Sequence, residues 1–183
     1  MSITDQDRAR LTALAREAVV AAVSARPLPL AAERDGIFGE KRGCFVTLTS
    51  RGRLRGCIGT FTPPEPLGKM IVQMAAAAAR EDPRFFGDPI TEGELGELAV
   101  EVSVLSPLVE THEPEKLRVG VDGIYIIAGG RSGCFLPEVA TDQGWSAEEF
   151  LTHCCQGKAH LPPDAWRDPG VKVYLFTSEK FGQ

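Results

Sequence analysis

The segment that says most about the architecture is residues 44–60, which read CFVTLTSRGRLRGCIGT. Up to Ser50, apolar and polar residues alternate, and the polar turn at 50–53 contains a glycine. A second extended run follows, so the segment predicts a β-hairpin. Arg55 and Cys57 stand two positions apart in the second strand, where side chains of alternate residues share a face. We therefore expect Arg55 and Cys57 to point the same way.

Helices and further strands surround this hairpin. Apolar residues at helical spacing from Asp5 to Ala25, with Thr4 as N-cap, predict one helix. The alanine-rich segment 67–80 predicts a second helix, and a capping box at Ser146 opens a third. Strand patterns are found at 98–105, 123–128, 134–136 and 171–177. Because helices alternate irregularly with antiparallel strands, with too few βαβ units for a doubly wound sheet, we predict an α+β fold.

The composition argues against several classes of protein. The chain has 183 residues, of which 20 are Lys or Arg and 25 are Asp or Glu, so its formal net charge is −5. This balance argues against nucleic-acid binding by phosphate neutralisation. No run approaches the roughly 20 apolar residues that span a bilayer, and the first residues lack the basic-then-apolar order of a signal peptide. We expect a cytoplasmic protein that binds neither nucleic acid nor membrane.

The five cysteines do not indicate disulfides or a metal site. They are odd in number and lack CxxC spacing, so neither a disulfide framework nor a zinc ribbon is expected. His153, Cys154, Cys155 and His160 lie within eight positions of one another. Adjacent residues on a helix point about 100° apart, however, so one ion would not easily bind both. We predict no metal, and nothing in the sequence names a cofactor.

Cys57 is the cysteine in the most unusual surroundings. Gly56 and Gly59 lie in the same predicted strand, where glycines often mark a bulge or the close approach of a ligand or another backbone. Arg55 on the same face would favour the thiolate, which is the nucleophilic form of cysteine. The alternative is that Cys57 fills a small buried site, as most free cysteines do.

Five motifs in order resemble those of the AMMECR domain family. They are LRGCIGTF at 54–61, DPRF at 82–85, EVSVLSP at 101–107, LPEVAT at 136–141 and GW at 144–145. The resemblance runs from about residue 10 to Phe181 and implies one α+β domain over 1–183, built from two closely packed subdomains. We place the larger subdomain at 1–120 plus 165–183 and the smaller at 121–164. The LRGCIG motif is then expected near a cleft between them.

The family motifs also mark candidate site residues. The candidate catalytic residues are Cys57 and Glu101, and the candidate ligand-binding residues are Arg55, Gly56, Gly59, Thr60, Arg84 and Ser103. Asp82 is expected to tie a turn to its own backbone. Glu138 stands where the family usually has glutamine, and His160 where it usually has glycine.

The resemblance does not supply an activity, because none is established for the family, and three functions stay open. In the first, the chain is a thiol-dependent enzyme in which Cys57 is the nucleophile, Arg55 activates it, and Glu101 or His160 accepts a proton. In the second, it is a non-catalytic module that binds a small anionic ligand or a partner protein through Arg55 and Arg84. In the third, Cys57 is part of the core.

Genomic context adds an expectation about partners. Bacterial and archaeal proteins similar to this one are often encoded beside a Memo-type protein, related to extradiol dioxygenases, and a radical SAM protein. The resemblance therefore implies membership of this AmmeMemoRadiSam system. Its partners would act with this chain in a small-molecule or protein-modification pathway.

Overall fold

A computed structural model describes residues 3–32 and 35–182. Within them lie four α-helices and two antiparallel four-stranded sheets, which confirms the predicted α+β fold. The helices are α1 (Asp5–Val23), α2 (Leu67–Arg80), α3 (Pro137–Gln143) and α4 (Ala147–Cys154). The strands are β1 (Cys44–Ser50), β2 (Arg53–Thr60), β3 (Leu98–Leu105), β4 (Val109–Thr111), β5 (Gly123–Ala128), β6 (Arg131–Phe135), β7 (Lys172–Phe176) and β8 (Ser178–Gly182).

The first compact unit comprises the described residues of 3–105 together with 179–182. Its sheet has the order β2-β1-β3-β8, and α1 and α2 pack on one face. The side chains of β1 that face these helices, Cys44, Val46 and Leu48, are fully buried. They lie beside the valines of β3, with Val46 opposite Val102 and Leu48 opposite Val100. The alternation that predicted the strands therefore also identifies the core side of the sheet.

The second unit is Ser106–Ser178, with the sheet order β4-β7-β5-β6. Its core includes Ile124 and Ile126 of β5 and Phe150 of α4. It begins at residue 106, whereas the division drawn from the sequence was at 120 and 164. The difference arises because β4 pairs with β7, which in turn pairs with β5.

A bulge interrupts the first hairpin. The turn residues Arg51 and Gly52 have φ angles of 49° and 76°, as a tight two-residue hairpin turn requires. Thr49 pairs with Leu54, but Leu48 pairs with Gly56, so Arg55 is an extra residue in β2. This one insertion sets the direction of every later side chain in the strand.

No helix of the described residues combines the length and the apolar character needed to cross a membrane.

Candidate functional site

The bulge places Arg55 and Cys57 on opposite faces of the sheet. Arg55 lines a small cavity together with Ala78 and Ala79 of α2, so it lies on the helix side. Cys57 faces the other way, where its Sγ is 3.3 Å from the Oγ1 of Thr47. The expectation that Arg55 and Cys57 point the same way is therefore wrong, because it assumed an unbroken alternation along β2.

Arg55 is a buried cation bonded to two carboxylates. Its side chain is 7% exposed, and its Nη1 donates to Asp88 Oδ2 at 2.6 Å. Its Nε and Nη2 donate to the two oxygens of Glu94 at 3.1 and 3.3 Å. Burial lowers the pKa of Arg55, but the hydrogen bonds that it donates to Asp88 and Glu94 outweigh this effect, and the pKa is raised. This guanidinium is thus held on the helix side, away from the face that carries the Cys57 thiol.

Asp82 and Arg84 meet β2 at the backbone of Cys57. The Cys57 amide donates to Asp82 Oδ2 at 2.9 Å, and Arg84 Nη2 donates to the Cys57 carbonyl at 3.3 Å. β2 is an edge strand of its sheet. Asp82 therefore accepts from the Cys57 amide and Arg84 donates to the Cys57 carbonyl, as the peptide groups of a neighbouring strand would. The two side chains satisfy backbone hydrogen-bonding groups that an edge strand leaves without a partner.

Asp82 also holds Arg84 in place. Its Oδ1 accepts from the Arg84 backbone amide at 3.1 Å and from Arg84 Nε at 2.9 Å, and its Oδ2 accepts from Nη2 at 2.6 Å. Above all the Arg84 side chain, and also the Cys57 amide, lower the pKa of the buried Asp82 to about 2. The predicted Asp82 turn is confirmed, and its side chain additionally reaches β2.

Arg84, and not Arg55, is the arginine that lies beside Cys57. Its side chain is 54% exposed. The pKa of Arg84 is raised, mainly by its hydrogen bond to Asp82 and further by the charge of that carboxylate. Its guanidinium is therefore held at the edge of β2, at the residue that carries the thiol.

The outer face of the sheet carries a row formed by Cys57, Thr47 and Glu101. Thr47 of β1 pairs with Cys57 of β2 on one side and with Glu101 of β3 on the other. With neighbouring strands about 4.8 Å apart, the backbones of Cys57 and Glu101 are separated by roughly 10 Å. Glu101 Oε1 is 3.7 Å from Lys180 Nζ. Glu101 therefore shares the face with Cys57, but Thr47 lies between them.

The remaining candidates divide between the two faces. Ser103 pairs with Phe45 and lies on the outer face, where it is buried. Thr60 pairs with Cys44 and belongs to the opposite row. A Cβ on Gly56 would lie 2.0 Å from the carbonyl oxygen of Ala78. At Gly59 it would lie 2.2 Å from Phe45 Cδ1 and 2.4 Å from Cys44 O. At both positions a side chain would collide with another part of the protein, so close packing within the chain explains why glycine is present.

The other four cysteines differ from Cys57 in their surroundings. Cys44, Cys154 and Cys155 are fully buried, and burial raises the pKa of Cys44 to about 12. Burial likewise raises the pKa of the half-buried Cys134 to about 11. Full burial therefore distinguishes three of these four thiols from Cys57, which is half-buried.

Neither histidine of the suspected cluster lies among potential metal ligands. In the described ranges, 3–32 and 35–182, no group of three or more His, Cys, Asp or Glu side chains could hold an ion. His153 stacks on Trp145 with ring centroids 4.2 Å apart. His160 and Glu138 belong to the second unit, where the His160 carbonyl accepts from Arg131 Nη1 at 2.8 Å.

Thr47 is the site residue that the sequence did not identify. A regular hairpin closed by Arg51 and Gly52 would pair Cys57 with Val46 and turn its thiol towards the core. Only the bulge brings Thr47 opposite Cys57. The two glycines were a signal for such an irregularity, but they did not say at which residue it falls.

Comparisons with known proteins agree with the motifs. The family model described as AMMECR1 matches residues 12–181. A protein of Methanothermobacter thermautotrophicus is 46% identical over 151 residues, covering 79% of this chain and 77% of the relative. A Thermococcus kodakarensis protein is 49% identical over 152 residues, covering 78% and 73%. The crystal structure of the uncharacterized protein PH0010 from Pyrococcus horikoshii matches with a TM-score of 0.85 at 39% identity, covering 99% of this chain and 93% of that one.

Proposed function

This chain belongs to the AMMECR1 family, and from that premise we propose that it acts through a thiol-dependent site at Cys57, on the outer face of the first sheet. The observation that carries the proposal is the position of Arg84. A buried carboxylate, Asp82, holds this guanidinium against the Cys57 carbonyl and leaves it half exposed. A fixed positive charge beside a half-buried thiol is the usual arrangement of a reactive cysteine.

Each side chain of the site has a distinct part in the proposed chemistry. Arg84 stabilises the thiolate of Cys57, which is the form that attacks an electrophilic carbon. Thr47 orients the sulfur, since its hydroxyl is 3.3 Å from Sγ and either atom can donate. Glu101, one strand further along the same row, is the proposed proton acceptor.

The substrate that suits this site is a small electrophile with an anionic group. Arg84 Nη1 has no hydrogen bond within the described chain, so it is the donor that would bind such a group. The Memo-type and radical SAM proteins implied by gene neighbourhood are proposed to supply or consume this compound.

Alkylation of Cys57 by iodoacetamide across pH tests the proposal. Cys57 is the single cysteine of the tryptic peptide 56–69, so mass spectrometry reports its modification separately. Arg84→Gln removes the positive charge proposed to stabilise the thiolate; if its effect is that of a partly exposed ion pair, about 0.7 kcal/mol, the midpoint of the pH–rate profile should rise by about half a unit. The matched control is Arg53→Gln, which removes an exposed arginine of the same strand and should leave the midpoint unchanged.

Two results would contradict the proposal. One is a native midpoint at or above that of a free thiol, about 8.5. The other is a profile for Arg84→Gln that superimposes on that of the unmodified chain.

A second candidate function is a non-catalytic binding module of the same pathway. It is favoured by Arg84, whose side chain is half exposed and whose Nη1 makes no hydrogen bond among the described residues, so that it can donate to an anion. Pathway output in a strain lacking the gene separates the two functions. Cys57→Ser abolishes output if the thiol is the nucleophile, whereas a binding module keeps its output with Cys57→Ser and loses it with Arg84→Gln.

A further inference from the structure

We propose that Arg55 is a positioning residue that acts on Cys57 at a distance, by anchoring the segment that carries Arg84. The segment is residues 82–94, called the strap below; it runs along the edge of β2 and is bonded to that strand at two places. This inference rests on the proposed function of Cys57 and assigns to Arg55 a part in it that involves no contact with the thiol.

The first attachment of the strap is at the strand edge. There Asp82 accepts from the Cys57 amide at 2.9 Å and Arg84 donates to the Cys57 carbonyl at 3.3 Å. The second is on the helix side, where the Arg55 guanidinium donates to Asp88 and Glu94 through three hydrogen bonds. Because of the bulge, Cys57 holds the strap at the strand edge, whereas Arg55, two residues earlier in β2, holds it on the helix side.

The geometry of the second attachment requires an arginine. Nε and Nη2 of Arg55 bind the two oxygens of Glu94, while Nη1 points to Asp88. The planar fork of a guanidinium makes such a set of bonds, and the single ammonium of lysine does not. Glu94 is itself fixed, because its Oε2 accepts from the Thr91 amide at 2.9 Å.

Polar bonds, more than dense packing, set the position of the strap near Asp82. A cavity of about 90 Å³ lies beside it, lined by Arg55, by Ala79 of α2 and by Phe85, Pro89 and Ile90 of the strap. Ile90 is buried in the core of the unit and anchors the strap without Arg55. Loss of Arg55 should thus leave the unit folded while residues 82–89 shift into the free space, taking Arg84 with them.

A shift of Arg84 should be visible at the thiol. Among the described residues, the charged groups bonded to Cys57 are Arg84 and Asp82 from the strap; Glu101, with Lys180 beside it, lies beyond Thr47 in the same row. The helices lie on the other face of the sheet. The reactivity of Cys57 therefore serves as the report on where the strap holds Arg84.

The test uses the full chain with Arg55→Met and Arg55→Lys, compared with Arg84→Gln and the control Arg53→Gln. The first readout is the pH–rate profile of Cys57 alkylation by iodoacetamide, and the second is hydrogen exchange at the Cys57 amide, which donates to Asp82.

Arg55→Met should raise the midpoint by about half a unit, as expected for Arg84→Gln from the size of an exposed ion pair. The double variant should show no further rise, because both changes remove the same interaction. Arg55→Lys should lie between Arg55→Met and the unmodified chain, and the Cys57 amide should exchange faster in Arg55→Met.

The outcomes separate this inference from the proposed function. If Arg84→Gln moves the midpoint and Arg55→Met does not, the positioning role is overturned and the thiol site stands. If neither moves it, the proposed function fails. Should circular dichroism show that Arg55→Met does not fold, Asp88→Ala replaces it, because Asp88 is the acceptor of Arg55 within residues 82–89. A midpoint unchanged by Asp88→Ala would overturn the inference.

Discussion

Gly56 lies where β2 crosses α2, and adding a single methyl group there should destabilise the first unit. A Cβ at this position would be 2.0 Å from the carbonyl oxygen and 2.9 Å from the carbonyl carbon of Ala78. Both atoms are backbone, so no side-chain rotation relieves the clash, and strand and helix must separate by about 1 Å or more. Inserting a methyl into a packed interior costs roughly 1–3 kcal/mol, and the value for Gly56→Ala should lie at the upper end because the obstacle is rigid.

The corresponding fall in melting temperature is about 5–10 °C, taking 2–4 °C per kcal/mol for a chain of this size. Differential scanning calorimetry measures it, and hydrogen exchange at the amides of β2 assigns the loss to the first unit. Trp145 and Trp166 both lie in the second unit, so tryptophan fluorescence follows that unit separately.

Gly96→Ala is the matched control for Gly56→Ala. A Cβ at Gly96 would meet nothing within 4 Å, and its φ is not in the left-handed region. The control should therefore melt at or slightly above the unmodified chain. A melting temperature for Gly56→Ala within about 2 °C of the control would refute the close approach of β2 to α2 as the reason for a glycine here.

Two further predictions concern acid and thiol chemistry. The pKa of Asp82 is about 2 against an ordinary value of 3.8, so its bonds stabilise the fold above about pH 4, and this contribution is lost as the pH falls from 4 towards 2. Urea unfolding should show the unmodified chain losing about 2 kcal/mol more than Asp82→Asn over that range, and equal losses would contradict the assignment. Brief labelling of the native protein with a thiol reagent at pH 7.5 should modify Cys57 first, because burial raises the pKa of Cys44 to about 12 and that of Cys134 to about 11. Peptide mapping checks this order, and labelling of Cys44 as fast as Cys57 would contradict it.

The helices and the longer strands could be predicted because local interactions specify them. The capping boxes at Thr4 and Ser146 each join residues three apart in the chain. The helix 67–80 and the strand 98–105 agree with the structure residue for residue. Three elements were missed, β4, β8 and α3. They are short, and a strand of three or five residues shows too little alternation to stand out.

What the sequence by itself determined was the fold class and most of the candidate residues: Cys57, Arg84 and Glu101 were singled out and Asp82 was expected to tie the turn, whereas Thr47 was not identified. Their arrangement was decided by tertiary structure. Alternation predicted Arg55 beside Cys57, but one extra residue in β2 turns Cys57 outward to Thr47 and leaves Arg55 with Asp88 and Glu94. The partners of Cys57 and Arg55 in the strap are 25 to 39 residues away along the chain. A bulge stabilised by contacts of that range leaves no periodic trace in the local sequence, so its position follows only from how strand, helix and strap pack together.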